Sequence, residues 1–178
     1  MLKIVTTPNT VLTTPSKPVA VINAKIKKLV NDMEQALTAQ KDPEGVGLAA
    51  SQVGVNLAIF ITKPSSNAQT EVFINPRILS DVALPTPDGA QVKNAQSRME
   101  GCLSIPSIWA PLVRTQKVKL TYQTLDGKVH TKVFTGFKAV IVQHEVDHLN
   151  GVLFTMRCME QGAQLYEEDN GELRKILS

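Results

Sequence analysis

Thr135-Gly136-Phe137-Lys138-Ala139-Val140-Ile141-Val142-Gln143-His144-Glu145-Val146-Asp147-His148-Leu149-Asn150-Gly151 is the stretch on which the fold turns. Its first half is apolar at Phe137, Val140, Ile141 and Val142, and Asn150-Gly151 supplies a left-handed stop. The pattern predicts a buried helix starting near Thr135-Gly136 and running through the second histidine. Just before it, Lys117 to Gln123 and Val129 to Phe134 alternate around Asp126-Gly127, a hairpin signature. A buried helix fed by a hairpin points to an α+β fold, with mostly antiparallel sheets packed around one central helix.

Further out, the pattern supports the same frame. Thr6 to Val19 holds three prolines and reads as an extended arm, since each proline lacks an amide donor and pushes its predecessor out of helix. Asn23 is placed to cap an N-terminal helix whose face is Ile26, Leu29, Val30, Met33 and Leu37, ending before Asp42-Pro43. Val55 to Thr62 reads as a buried strand, Pro64 to Thr70 as a polar loop, and Glu71 to Ile74 and Ile78 as short strands broken at Pro76. Residues 84–97, rich in Pro, Gly and Asn, read as an exposed loop. Gln164 to Glu168 and Glu172 to Ile176 flank Asn170-Gly171 as a C-terminal hairpin. No repeat or linker interrupts residues 1–178, which are expected to form a single domain.

Composition narrows the function classes. The 178 residues are 43% hydrophobic and 20% charged, which is globular rather than disordered. A net charge of +3 is too weak and dispersed to argue for nucleic acid. Two cysteines cannot build a disulfide framework, and reduced thiols suit a cytoplasmic protein. The longest apolar run, Leu57 to Thr62, is far too short to span a bilayer, and MLKIVTTPNT has neither the apolar core of a signal peptide nor the arginines of a transit peptide.

The central helix carries chemistry. His144-Glu145-Val146-Asp147-His148 is HExxH, and residues four apart on a helix share a face, so both imidazoles can reach one metal ion. Glu145 then sits beside the ion without binding it, placed to take a proton from metal-bound water. The competing reading is a surface helix with two chance histidines. His130, the third in the chain, reads as an ordinary strand residue. A hydrolytic metal site keeps three protein ligands and one open position. Cys102, in Glu100-Gly101-Cys102-Leu103-Ser104, is the candidate third, because a thiolate suits zinc or ferrous iron and Gly101 lets the backbone bend beside the ion. Taken alone it could be a small buried hydrophobe, and Cys158 is read as structural or idle. Gly45-Val46-Gly47-Leu48-Ala49-Ala50-Ser51-Gln52 fits GxGxxA, but it follows no strand of a βαβ unit, which argues against a dinucleotide site. Close backbone approach to a ligand is the other use of such glycines, with the Gln52 amide available to a developing oxyanion. A tight turn with Gln52 in solvent is the simpler alternative.

Together, GVGLAASQ at 45–52, EGCLS at 100–104 and HEVDH at 144–148 resemble the three motifs of the peptide deformylase family, in its order and spacing, and the likeness runs over about residues 1–156. The resemblance implies hydrolysis of the N-formyl group from the initiator methionine of new polypeptides, with release of formate. It implies Cys102, His144 and His148 as ligands of one divalent ion, Fe2+ natively with Zn2+ or another ion able to occupy the site. It implies Glu145 as general base and acid, and Gln52 with the N–H of Leu103 as oxyanion donors. The substrate would pair along Gly47 as an added strand, contact Glu100, Gly101 and Trp109, and place its methionine near Val46, Phe137, Val140 and Ile141.

Two positions depart from the family pattern. Trp109 stands where well-known bacterial members carry an arginine, and Arg98 stands where an apolar residue is usual. The tail YEEDNGELRKILS is acidic and turn-like, unlike the long basic helix that docks some members on the ribosome, so ribosome association is not carried over. A monomer acting on N-formyl-Met nascent peptides, with no membrane and no direct nucleic-acid partner, is the expectation. A zincin-like endopeptidase shares HExxH, but usually takes a later His or Glu as third ligand, and no later His exists here. A silent metal- or peptide-binding module would close the site with a fourth ligand. Asp147, one step from His148, faces elsewhere on the helix and is expected to pair with Arg114.

Overall fold

The computed structural model describes residues 2–41, 45–79 and 95–176. Among them are three α-helices and nine strands. Strands β1 (Gly47–Ala49), β2 (Ile59–Thr62), β3 (Glu71–Ile78), β6 (Lys117–Gln123) and β7 (Val129–Thr135) form one antiparallel sheet in that order. Strands β4 (Ala95–Cys102), β5 (Ile105–Thr115), β8 (Tyr166–Asp169) and β9 (Glu172–Lys175) form the other. Helix α1 covers Ala24–Thr38, α2 Gly136–Leu149 and α3 Phe154–Gln161. This is the expected α+β arrangement around a central helix. No helix among the described residues is long and apolar enough to cross a membrane.

The position of α2 follows from its composition. Ala139, Val140, Ile141, Val142, Gln143, Glu145, Asp147, His148 and Leu149 are all buried, so the helix has no broad polar face and must be covered on several sides. Ala139, Val142 and Leu149 join Phe60, Phe73, Val118, Leu120 and Phe134 in a core against the five-stranded sheet. Cys102 packs with Ala110, Leu112, Phe154 and Cys158 in a separate cluster under the four-stranded sheet. Helix α1 buries Ile26, Val30, Met33 and Leu37, with Leu29 packed at the edge, and Asn23 Oδ1 accepts from the N–H groups of Lys25 and Ile26.

Several expectations need correction. The arm contains a short 3-10 turn at Thr10–Thr13, capped by Asn9, between its extended prolines. In the 55–62 stretch only Ile59–Thr62 is strand, since Ala58 donates its N–H to Lys17 on the arm. Strand β3 runs through Pro76 by way of a bulge, where Asn75 takes φ +50° and its amide grips both backbone groups of Val19. Of the presumed loop 84–97, residues 84–94 lie outside the described residues, as does Asp42-Pro43, and α1 already ends at Thr38. Ala95–Ser97 already pair with Val113–Thr115, because the long β5 offers a full set of partners and outweighs weak local propensity. Helix α3 was not anticipated. It is only eight residues long, and Gly162 at φ +60° ends it.

Candidate active site

Three elements converge on one point. Strand β4 delivers Glu100, Gly101 and Cys102 at its end, where a register shift between Gly101 and Cys102 breaks the ladder. Helix α2 delivers His144, Glu145 and His148, and the turn after β1 delivers Gln52. Cys102 Sγ lies 3.2 Å from His148 Nε2, and one donor atom from each of Cys102, His144 and His148 falls within 4.8 Å of the others. The Gln52 side chain is fixed at both ends rather than exposed: its Oε1 accepts from the Ala49 N–H at 2.8 Å, and its Nε2 donates to Cys102 Sγ at 3.4 Å and to Ser104 Oγ at 3.3 Å.

The charges are arranged around the sulfur. Burial penalises the Cys102 thiolate, but His148 and His144 overcome it and hold the thiol well below its usual range. Burial would neutralise His144, yet Cys102 and Glu100 raise it well above an ordinary histidine. The surroundings thus favour positive charge between two negative groups, and a thiolate with two imidazoles is a donor set suited to zinc or ferrous iron. His148 turns its Nε2 to the sulfur, so the sulfur and both rings face one point. These features fit a bound divalent ion.

Glu145 is 3% exposed, and its Oε2 has no partner among the described residues. Burial raises its carboxyl to about 7, helped by the charges of Cys102 and Glu100 and opposed by the two histidines. Gly47 makes room for it: a Cβ there would overlap Glu145 Oε1 and lie 2.9 Å from Cδ. Glu100 lines the cavity above the site and also braces the site from within. Its Oε2 sits 3.1 Å from His144 Nδ1, and Arg114 donates to both its oxygens at 2.9 and 3.0 Å. Burial works against this carboxylate, but hydrogen bonds from His144 and Arg114 hold it at about 2. Arg114 also donates to Asp147 at 2.6 Å, as expected, and Arg157 of α3 completes the pairing on Asp147 at 2.7 Å. Arg157 gave no signal in the sequence, because the helix that carries it did not.

Above this floor opens a cavity of about 220 Å³. Val46, Gly47, Gly101, Leu103, Trp109, Phe137, Val140 and Ile141 all line it, as do Gln52, Cys102, His144 and Glu145, while His148 lies behind the wall. Its apolar end is Val140 and Ile141, both 3% exposed, and Arg98 lies over the Phe137 ring at 5.9 Å. The Trp109 ring covers Gly101 so closely that a Cβ there would lie 2.9 Å from it. His130 stays on β7, stacked on Tyr122, and Cys158 is buried and bonded to the Ala163 carbonyl.

An α+β frame that brings a thiolate and an HExxH helix to the floor of an apolar cleft has the architecture of a hydrolase with a candidate metal centre. The model of the polypeptide deformylase family matches residues 1–164, and the chain belongs to that family of enzymes, which remove the N-formyl group from nascent polypeptides. Peptide deformylase 1 of Bacillus cereus is 36% identical over 172 residues, covering 97% of this chain and 99% of that protein. The crystal structure of peptide deformylase from Thermotoga maritima aligns with a TM-score of 0.74 at 32% identity, covering 88% of this chain and 97% of that one. A Met-Ala-Ser-bound deformylase from Acinetobacter baumannii aligns equally well, with a TM-score of 0.74 at 31% identity over 88% of this chain and 98% of its own.

Proposed function

We propose that residues 1–178 act as one cytoplasmic, monomeric, metal-dependent deformylase unit in which Cys102, His144 and His148 hold a single divalent ion, Fe2+ natively. The observation that carries this reading is the buried Glu145 carboxyl, whose Oε2 has no partner among the described residues, beside that donor cluster at the floor of an apolar cavity. When bound, the ion supplies Lewis acidity, making a water nucleophilic at neutral pH and drawing charge from the formyl oxygen.

The residues of the chain do the rest. Glu145 accepts the proton that the attacking water loses and returns it to the amine nitrogen as the C–N bond breaks, so that formate and a free N-terminus leave. A carboxyl raised by burial is matched to both halves of that transfer. Gln52 Nε2 and the Leu103 N–H donate to the oxygen that gains charge. Glu100 holds His144 through Nδ1 and so leaves Nε2 for the ion. The peptide lies along Gly47 as an added strand, against Gly101 and Trp109, with its methionine between Val46, Phe137, Val140 and Ile141. The Met-Ala-Ser complex of the Acinetobacter relative supports a methionine-first peptide in a fold of this shape.

The test is formate release from formyl-Met peptides, paired with anaerobic metal analysis. Turnover is expected in the wild type and lost in Glu145→Gln while one metal per chain stays bound. Retained turnover in that variant removes Glu145 from the chemistry.

A further inference from the structure

We infer that Glu168, on the C-terminal hairpin, selects substrates that carry a lysine or arginine shortly after the methionine. The inference rests on the deformylase reading. Beside the apolar cavity lies a second, more polar groove of about 360 Å³, and the two share Gly101, Cys102, Leu103 and Trp109 as walls. A peptide with its formyl end at Cys102 and His144 and its first side chain in the apolar cavity continues into this groove, since an extended chain advances about 3.3 Å per residue.

Glu168 is the single carboxylate lining the groove among the described residues, and no lysine or arginine lines it. Pairing of β8 with β5 at Ile108–Glu167 and Trp109–Tyr166 carries the hairpin there. The indole N–H of Trp109 donates to Glu168 Oε2 at 2.7 Å, which fixes the carboxylate and leaves its other oxygen for a ligand. On the same hairpin Asp169 is engaged with Arg174 at 2.7 Å and Glu172 with the same guanidinium at 3.9 Å, Glu167 does not line the groove, and no cation pairs with Glu168 among the described residues. The groove thus meets the departing peptide with an indole and a carboxylate behind it, a negative charge, and the acidic tail that the sequence left without a role acquires one.

Formyl-Met peptides differing only in Lys, Gln or Glu at the second, third or fourth position are compared by kcat/KM at low ionic strength. The same peptides without the formyl group are titrated against the fluorescence of Trp109, the chain's single tryptophan. At one or more positions the order Lys, Gln, Glu is expected in both measurements, with about three- to fivefold between neighbours, the scale of an exposed ion pair. The spread narrows in about 0.15 M salt, vanishes in Glu168→Gln and reverses in Glu168→Lys. Equal values for the three peptides at every position, or a lysine preference that survives Glu168→Lys, overturns the inference. Formate release from none of the peptides would overturn the deformylase reading instead, and the fluorescence titration would still decide the part played by Glu168.

Discussion

Gly47 shows how a residue without a side chain sets the position of one that has chemistry. In the sequence its value lies in backbone approach to a ligand, and that role belongs to the proposed function. The space where its Cβ would be is filled by the Glu145 carboxylate. A long-range vacancy of this kind leaves no trace in motif or periodicity, whereas Cys102, His144, Glu145 and His148 were legible because their residue types and spacing carry the chemistry. Gly47→Ala forces that carboxylate aside, and a misplacement of about 1 Å costs on the order of 10²-fold. The expected result is a drop of that size in kcat with an unchanged circular dichroism spectrum and full metal content. Glu100 was legible as a member of EGCLS but not as the partner of His144, since only the folded β4 and α2 bring them together. Glu100→Gln is expected to weaken metal affinity by about 10- to 100-fold, measured by competition with a chelator.

At the scale of elements, the bond between α2 and β5 is electrostatic as well as apolar. Arg114 is 4% exposed and holds the carboxylates of Glu100 and Asp147, each 6% exposed, so removing it leaves Glu100 with His144 alone and Asp147 with Arg157 alone, buried charge that is only partly compensated. Arg114→Leu is expected to cost about 3–5 kcal/mol, seen as a lower urea midpoint with an unchanged slope. Arg114→Lys should recover little of it, because an ammonium cannot reproduce the fork that meets two carboxylates. The Arg114–Asp147 half of this contact could be read from helical geometry, since Asp147 had to face away from the metal-side histidines. Strand β4 was half hidden by its loop-like composition, and α3 by its shortness, because neither shows a period long enough to read.

For the whole molecule, the central helix and the two hairpins were legible, but the division of the strands into two sheets was not. That division depends on pairings such as β3 with β6 and β5 with β8, which join distant segments. The candidate site draws on both halves: Gln52 follows a strand of the five-stranded sheet, Cys102 ends a strand of the four-stranded one, and the histidines lie on the helix between. Chelation of the ion is expected to lower the unfolding temperature by about 10 °C, given about 4 kcal/mol of linkage at a thousandfold excess over Kd and about 2–4 °C per kcal/mol for a chain of this size. Calorimetry with and without chelator measures this, and identical transitions would mean that the cluster does not hold an ion in the folded state.

The two sheets share no strand, and β4 meets α2 at the sulfur and the imidazoles. An ion held there works as a rivet across a seam, fastening the mid-chain strand to the helix while it serves the reaction. Slippage of one layer past the other would then be felt at the centre of the site before it was felt at either surface. Amide exchange along Gly101–Leu103 should accordingly report the loss of the rivet sooner than exchange in the strands behind it.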